Sequence, residues 1–90
     1  MNKQEFLAFS GLQIQTLDFW LEQQWLVPVE TASGAEFSNT DVARAHFILD
    51  LKNDLGANDE GIDVILHLMD QLHGLRQVLA QLQKDINHPL

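Results

Sequence analysis

The feature that most restricts the fold is a row of apolar residues in the last third of the sequence, spaced alternately three and four residues apart. This spacing puts the residues on one side of an α-helix and fills both apolar positions of successive heptads. The row consists of Ile65, Leu68, Leu72, Leu75, Leu79, Leu82 and Ile86. A helix from Glu60 to Ile86 would be about 40 Å long. We therefore predict one long C-terminal helix.

The preceding residues are too few to cover such a helix, so the far part of its apolar side needs a partner. A second copy of the same helix is the simplest partner, because identical chains associate through symmetric contacts. The sequence therefore predicts a homodimer through Leu72, Leu75, Leu79, Leu82 and Ile86. The other interpretation is a helix that folds back on its own head. In a dimer, both parallel and antiparallel arrangements stay open.

Composition narrows the class of protein. The chain has 90 residues, is 46% hydrophobic and contains no cysteine. It can therefore bury a modest core without disulfides, and it has no thiolate for catalysis or zinc binding. No run approaches the roughly 18 apolar residues of a membrane-spanning helix. Residues 1–5 lack the basic and then apolar order of a secretory signal, so we expect a soluble cytoplasmic protein.

The first part of the sequence predicts two helices and a hairpin. Residues 5–9 form a short helix that ends at a glycine-containing turn, and residues 13–24 carry apolar side chains at helical spacing. Residues 25–29 and 35–37 are predicted as the strands of a small β-hairpin around a polar turn. Trp25 then lies either at the edge of the core or on the surface as a binding anchor.

Capping residues predict where the later helices begin and end. Ser38 is a favourable N-cap for the third helix, and Asp41 three residues later makes a start that resembles a capping box. Gly56 is the predicted C-cap of that helix. Asn58 is the predicted N-cap of the fourth helix, the one that carries the apolar row.

The order of these elements resembles the MerR-like winged helix-turn-helix. The stretches that carry the resemblance are Ser10-Gly11-Leu12, Thr16-Leu17-Asp18-Phe19-Trp20, Leu26-Val27-Pro28, Phe37-Ser38, Asp41-Val42 and Leu55-Gly56. It implies an all-α fold whose winged helix-turn-helix head, residues 1–56, has a small β-hairpin wing. Residues 57–90 would form the coiled-coil dimerisation helix. The second helix of that family usually reads Thr-Leu-Arg-Tyr-Tyr and its wing carries a further Arg, whereas this chain has Asp18 in the helix and Ala35-Glu36 in the wing.

A closer resemblance is to the chaperone modulatory proteins of the CbpM type, and it covers nearly the whole chain. The stretches that carry it are Glu5-Phe6, residues 11–28, Leu51-Lys52-Asn53-Asp54-Leu55, Gly61-Ile62 and Val64-Ile65-Leu66-His67-Leu68-Met69-Asp70. Such modulators bind the J-domain of the DnaJ-like co-chaperone CbpA. The resemblance implies a non-enzymatic protein without a cofactor whose binding blocks the stimulation of DnaK and curbs the DNA association of CbpA. Whether the physiological effect is inhibition or stabilisation stays open.

The charge of the chain agrees with a basic protein partner. Thirteen acidic residues stand against five basic ones, a formal net charge of −8, and such a surface repels polyanions and attracts basic surfaces. We predict two acidic patches. The first consists of Asp18 and Glu22. The second, our preferred J-domain contact, consists of Asp54, Asp59, Glu60, Asp63 and Asp70. Solubility alone explains any one of these residues equally well.

Binding to DNA is the alternative function, that of a MerR-type transcriptional regulator. Helix-turn-helix readers use Lys and Arg to neutralise phosphates. Between Lys3 and Arg44 the sequence has neither residue. The same interval contains Glu5, Asp18, Glu22, Glu30, Glu36 and Asp41. We therefore expect no direct DNA binding, although a basic partner would be able to complete a joint surface.

A metal or catalytic site has little support in the sequence. Asp63, His67 and Asp70 share one face of the predicted fourth helix, with His73 slightly further round. Such a stripe can bind a metal, but it is more often a solvated charged face. No Ser-His-Asp set, phosphate loop or enclosed pair of carboxylates is recognisable. We predict no metal, no cofactor, no small-molecule substrate and no catalysis.

Overall fold

A computed structural model describes residues 1–86 of the chain. The described residues form α-helices and one two-stranded sheet. The elements are α1 (Lys3–Ser10), α2 (Ile14–Glu22), β1 (Val29–Thr31), β2 (Gly34–Glu36), α3 (Asn39–Asn53) and α4 (Asp59–Ile86). This confirms the predicted helical fold with a small hairpin and a long C-terminal helix. The chain divides into a first compact unit, Met1–Asn58, and a second that begins at Asp59.

Helix α1 begins two residues earlier than the apolar pattern predicts, because a capping box precedes it. The Asn2 side chain accepts a hydrogen bond from the Glu5 N–H at 2.8 Å, and the Glu5 carboxylate accepts one from the Asn2 N–H at 3.0 Å. Both N–H groups would otherwise lack a partner within the helix. Gly11, with φ of 73°, ends the helix in the left-handed conformation that glycine adopts without strain.

The core of the first unit is built around aromatic side chains. Phe6 of α1 stacks on Phe37, which follows β2, with ring centroids 4.4 Å apart and planes inclined by 20°. Trp20 and Trp25 lie with their ring centroids 6.2 Å apart. The buried hydrophobic residues of this unit are Phe6, Leu17, Trp20, Trp25, Leu26, Phe37, Ala45, Ile48 and Leu51. Of the two roles considered for Trp25, the structure therefore selects the core.

Helix α2 ends in a Schellman motif that has glutamine where glycine is usual. Gln24 has φ of 61°, a left-handed conformation that is uncommon for a residue with a side chain. Its N–H donates to the Leu21 carbonyl oxygen at 3.1 Å, and the Trp25 N–H donates to the Trp20 carbonyl oxygen at 3.0 Å. These are the two hydrogen bonds that define the motif, and they turn the chain sharply away from the helix axis.

The predicted strand at residues 25–29 is wrong except for its last residue. The Trp25 N–H is already bonded to α2, and its carbonyl oxygen accepts a hydrogen bond from Arg44 Nε of α3. Trp25 and Leu26 are both buried although they are adjacent, whereas successive residues of a strand point to opposite faces. The segment is therefore an irregular connection, and β1 begins only at Val29.

The hairpin that follows is shorter than predicted: its first strand begins later, at Val29, and its second strand begins one residue earlier, at Gly34. The paired residues are Val29 with Glu36, Glu30 with Ala35, and Thr31 with Gly34. Glu30 and Thr31, which the prediction assigned to the turn, are thus in the strand. The Thr31 hydroxyl donates to the Gly34 carbonyl oxygen at 2.8 Å and accepts from the Ser33 N–H at 3.2 Å. These local bonds close a tight connection that composition alone did not reveal.

Helix α3 confirms its predicted start and corrects its predicted end. The Ser38 hydroxyl accepts from the Asp41 N–H at 3.4 Å, and the Asp41 carboxylate accepts from the Ser38 N–H at 2.9 Å. The last helical residue is Asn53, and Asp54 is the C-cap. The predicted C-cap, Gly56, instead lies beyond the helix with φ of 66°, because the chain turns before it reaches the glycine.

Helix α4 has 28 residues and is therefore about 42 Å long. Its buried residues are Ile62 and Leu66, both near its start. The apolar residues that follow are exposed, namely Leu68, Met69, Leu72, Leu75, Val78, Leu79, Leu82 and Ile86. Residues 87–90, the end of the predicted dimerisation region, lie outside the described residues. No helix in the part of the chain described is long and apolar enough to cross a membrane.

Replacing Phe37 with alanine should destabilise the first unit severely, because the change removes one partner of the buried stack and leaves a cavity. Phe→Ala changes in a core cost about 3–5 kcal/mol, which is a large part of the stability of a small domain. Phe9→Ala is the matched control, since Phe9 is 69% exposed, and it should change stability by less than about 0.5 kcal/mol. Urea denaturation followed by circular dichroism compares the two, and similar losses would contradict the assigned core.

Candidate protein-interaction surfaces

Two cations at the start of the chain pair with the acidic residues Asp18 and Glu36. The Lys3 ammonium lies 2.6 Å from the Asp18 carboxylate, and the Met1 α-ammonium lies 2.6 Å from the Glu36 carboxylate. Met1 is also joined to Phe37 by two backbone hydrogen bonds of 2.7 Å. Exposed ion pairs contribute only about 0–1 kcal/mol, so their main effect is on the surface charge. The positive charges of Lys3 and of the Met1 α-ammonium are therefore both paired with carboxylates.

The first predicted acidic patch lies on one face of α2. Asp18 and Glu22 are both exposed and are separated by one helical turn. Asp18 is neutralised by Lys3, whereas Glu22 has no ion pair within residues 1–86. Glu22 also lies in the last turn of α2, which contains no basic residue, and the helix dipole disfavours a negative charge there. The uncompensated charge of this patch is therefore that of Glu22.

The residues of the second predicted patch are all exposed, but they belong to two compact units. Asp54 caps α3 in the first unit. Asp59, Glu60, Asp63 and Asp70 belong to α4. Asp59, Asp63 and Asp70 are separated by four and seven residues and so share one side of α4, with Glu60 about a quarter-turn away. The three aspartates therefore lie in a row along one side of α4, with Asp59 and Asp70 about three turns apart.

The residues predicted for dimerisation form an exposed apolar side of α4. Leu72, Leu75, Leu79, Leu82 and Ile86 are between 44% and 80% exposed in the single chain. Met69 and Val78 are exposed beside them and widen this side beyond a simple zipper. We name this set of seven residues the α4 apolar face. Apolar surface of this extent on a single chain is typical of a region that another surface covers.

The metal alternative gains no support from the geometry. Among residues 1–86 no three His, Asp or Glu side chains are grouped as a metal ion would require. The His73 ring nitrogen Nε2 instead lies 3.2 Å from the Gln77 side-chain nitrogen, one helical turn away. The side chains of Asp63, His67 and Asp70 are all exposed.

A groove between the end of α2 and the hairpin was not predicted from the sequence. It has a volume of about 280 Å³ and is lined by Leu21, Gln24, Leu26, Val27, Pro28, Glu30 and Ala35. We name it the α2–hairpin groove. Its lining is mainly apolar, with a single ionisable side chain, that of Glu30. The sequence signal that pointed to this groove was the apolar run from Leu26 to Val29. We predicted that run as a strand, whereas most of it is an irregular connection.

The fold defines the class of protein to which this chain belongs. Helix α1, the turn at Gly11, helix α2 and the β1–β2 hairpin form a helix-turn-helix head with a wing, followed by the long helix α4. The family profile described as MerR HTH family regulatory protein matches residues 1–84. The chain therefore belongs to the MerR family of helix-turn-helix regulatory proteins. Curated proteins and solved structures gave no significant match.

Replacing Gln24 with glycine should stabilise the protein. The left-handed conformation costs a residue with a side chain about 1–2 kcal/mol, and the greater freedom of glycine in the unfolded chain offsets part of the gain. A net increase of about 0.5 kcal/mol or more in the free energy of unfolding is expected. Gln23→Gly is the matched control: Gln23 has a right-handed helical φ of −76°, so this change should destabilise. Equal effects in chemical denaturation would refute the assigned strain.

Proposed function

We propose that this chain is a non-enzymatic cytoplasmic modulator that binds the J-domain of a DnaJ-like co-chaperone of the CbpA type and competes with DnaK. The proposal combines membership of the MerR regulatory family with the closer resemblance to CbpM-type modulators. The observation that carries it is electrostatic. The helix-turn-helix and wing contain no Lys or Arg from residue 4 to residue 43, and the Lys3 and Met1 cations are held in ion pairs with Asp18 and Glu36.

Such a head is suited to a basic protein surface. A J-domain presents a basic helix to DnaK, and opposite charge on the two partners accelerates their encounter. The net charge of −8 supplies that attraction over a distance of about 10 Å at moderate salt. Charge would set the rate of association, while a few apolar contacts would set the lifetime of the complex. Occupation of the basic helix would exclude DnaK from the same surface.

Transcriptional regulation by direct DNA binding is the second candidate, favoured only by the family and the shape of the head. Phosphate neutralisation supplies most of the affinity of such proteins for duplex DNA. In this chain, Asp18 and Glu22 lie on α2, the helix that would enter the major groove of DNA, and Glu36 lies on the wing. Like charge on this surface would oppose association. We therefore rank this function below J-domain binding.

We also propose that the protein is a homodimer joined through the α4 apolar face. The row of leucines has the heptad spacing of a coiled coil, and the row stays exposed from Leu68 onward in the single chain. A self-complementary contact between two copies of α4 would cover it without requiring another protein. Dimerisation would also give the modulator two heads.

The proposed function predicts a salt-sensitive complex with a purified J-domain. Titration calorimetry with the isolated J-domain of a CbpA-type co-chaperone should show binding at low salt. The affinity should fall about tenfold or more between roughly 50 and 500 mM NaCl, because salt screens the attraction between exposed charges. Added J-domain should lose its stimulation of DnaK when this protein is present. The control is a mobility-shift assay with duplex DNA at physiological salt, which should show no shift. Sequence-specific DNA binding by the protein alone, or no J-domain complex, would overturn the proposal.

Leu75→Lys should convert the dimer to a monomer, because it places a charge in the middle of the α4 apolar face. Sedimentation should then report a mass near the chain mass of 10.2 kDa, against twice that value for the unmodified protein. Gln77→Lys is the matched control, since position 77 lies on the opposite side of the heptad from Leu75, and it should leave the dimer intact. A mass near 10.2 kDa for the unmodified protein at micromolar concentration would sink the dimer proposal.

A further inference from the structure

We infer that the α2–hairpin groove receives an apolar side chain of the partner protein, flanked by a Lys or Arg that reaches Glu30. This inference rests on the proposed function and names a contact for it that differs from the two acidic patches. The partner segment that fits is a basic amphipathic helix or loop of the J-domain. Three features of the groove support this contact: the register of the hairpin, the charge around the groove and the rigidity of its walls.

The hairpin register decides which side chains face the groove. Glu30 and Ala35 are directly paired across the hairpin, and paired residues lie on the same face of a two-stranded sheet. Both line the groove. Val29 and Glu36 form the adjacent pair, and because successive residues alternate between faces they lie on the other side. The hairpin therefore has one face that forms a wall of the groove and one that does not.

The lining favours an apolar anchor. Five of the seven lining residues are apolar, namely Leu21, Leu26, Val27, Pro28 and Ala35. Val27 is 73% exposed, so much of this surface is open to a partner. The volume of about 280 Å³ falls just below the roughly 300–1,000 Å³ of most small-molecule sites. A cleft of this size, open to solvent and mainly apolar, suits a side chain that anchors one protein on another.

The charge around the groove favours a Lys or Arg beside the apolar anchor of the partner protein. Glu30 is the one ionisable residue of the lining, and it has no ion pair within residues 1–86. Glu22, also unpaired within that range, lies one residue from Leu21 and two from Gln24. No Lys or Arg occurs in residues 4–43. A cation on the partner would meet a carboxylate that has no ion pair among the described residues, whereas an anion or a nucleic acid would be repelled.

The walls of the groove are fixed before any partner arrives. The Schellman hydrogen bonds hold Gln24 in its left-handed conformation, and Pro28 restricts the backbone where the chain enters β1. Trp25, between them, is 3% exposed and its carbonyl oxygen is bonded to Arg44. Residues held in uncommon backbone conformations are often found at binding sites. A rigid groove loses little conformational entropy on binding.

The test compares two exposed valines: Val27, which lines the groove just before the hairpin, and Val29, which lies on the hairpin face away from the groove. Val27→Lys places a like charge at the rim of the groove against a basic partner, and Val29→Lys places the same charge on the other face. Val27 and Val29 are 73% and 68% exposed, so both variants should fold, and thermal unfolding checks this. Glu30→Gln, nearly identical in shape, removes the carboxylate. Each variant is titrated by calorimetry with the isolated J-domain of a CbpA-type co-chaperone, at two salt concentrations.

The expected result is a loss of about tenfold or more in affinity for Val27→Lys, because the added charge lies at the groove and repels the basic partner segment. Val29→Lys should raise the dissociation constant less than about threefold, as for a change at the edge of a protein interface. Glu30→Gln should weaken binding about threefold to tenfold and reduce its salt dependence. If the unmodified protein binds and both valine variants bind equally well, the groove inference is overturned while the proposed function stands. If the unmodified protein does not bind the J-domain, the proposed function fails and this contact fails with it.

Discussion

The stack of Phe6 on Phe37 is the contact on which the arrangement of the first unit depends. It joins the first helix to the segment between the hairpin and α3, two parts of the chain more than 30 residues apart. The Met1 backbone pairs with Phe37 and reinforces the same junction. Because Phe6 fixes α1 in place, Lys3, one turn earlier, reaches Asp18 on α2. The position of the wing and the charge of the surface both follow from this packing.

The head keeps the shape of a helix-turn-helix, but residues 4–43 contain acidic side chains and no Lys or Arg. Lys3 and Met1 do not add a positive surface, since they are bound to Asp18 and Glu36. Glu22 and Glu30 are left without ion pairs in residues 1–86. The helix-turn-helix shape is therefore combined here with a surface charge that is compatible with a basic protein partner. Function in such a fold depends on the side chains of the surface and not on the backbone.

Periodicity and capping chemistry predicted the parts of the fold that depend on local sequence. The spacing of the leucines identified α4, and Ser38 with Asp41 identified the start of α3. The segment 25–29 was mistaken for a strand because its β-branched and aromatic residues have strand propensity. Propensity was overridden there by tertiary contacts: Trp25 is buried and is bonded to both α2 and α3. The α2–hairpin groove was missed for the same reason, since its walls come from two elements whose packing the sequence does not specify.

Sequence alone determined the long apolar helix, the helix-turn-helix order and the lack of cations across the head, because these are properties of residue type and of spacing along one segment. Only the tertiary structure decided that Asp18 and Glu36 are neutralised while Glu30 has no ion pair within residues 1–86, and that Glu30 lines an apolar groove. Pairing of charges depends on distances between residues far apart in the chain. The face that a hairpin side chain occupies depends on register, where a shift of one residue exchanges the two faces.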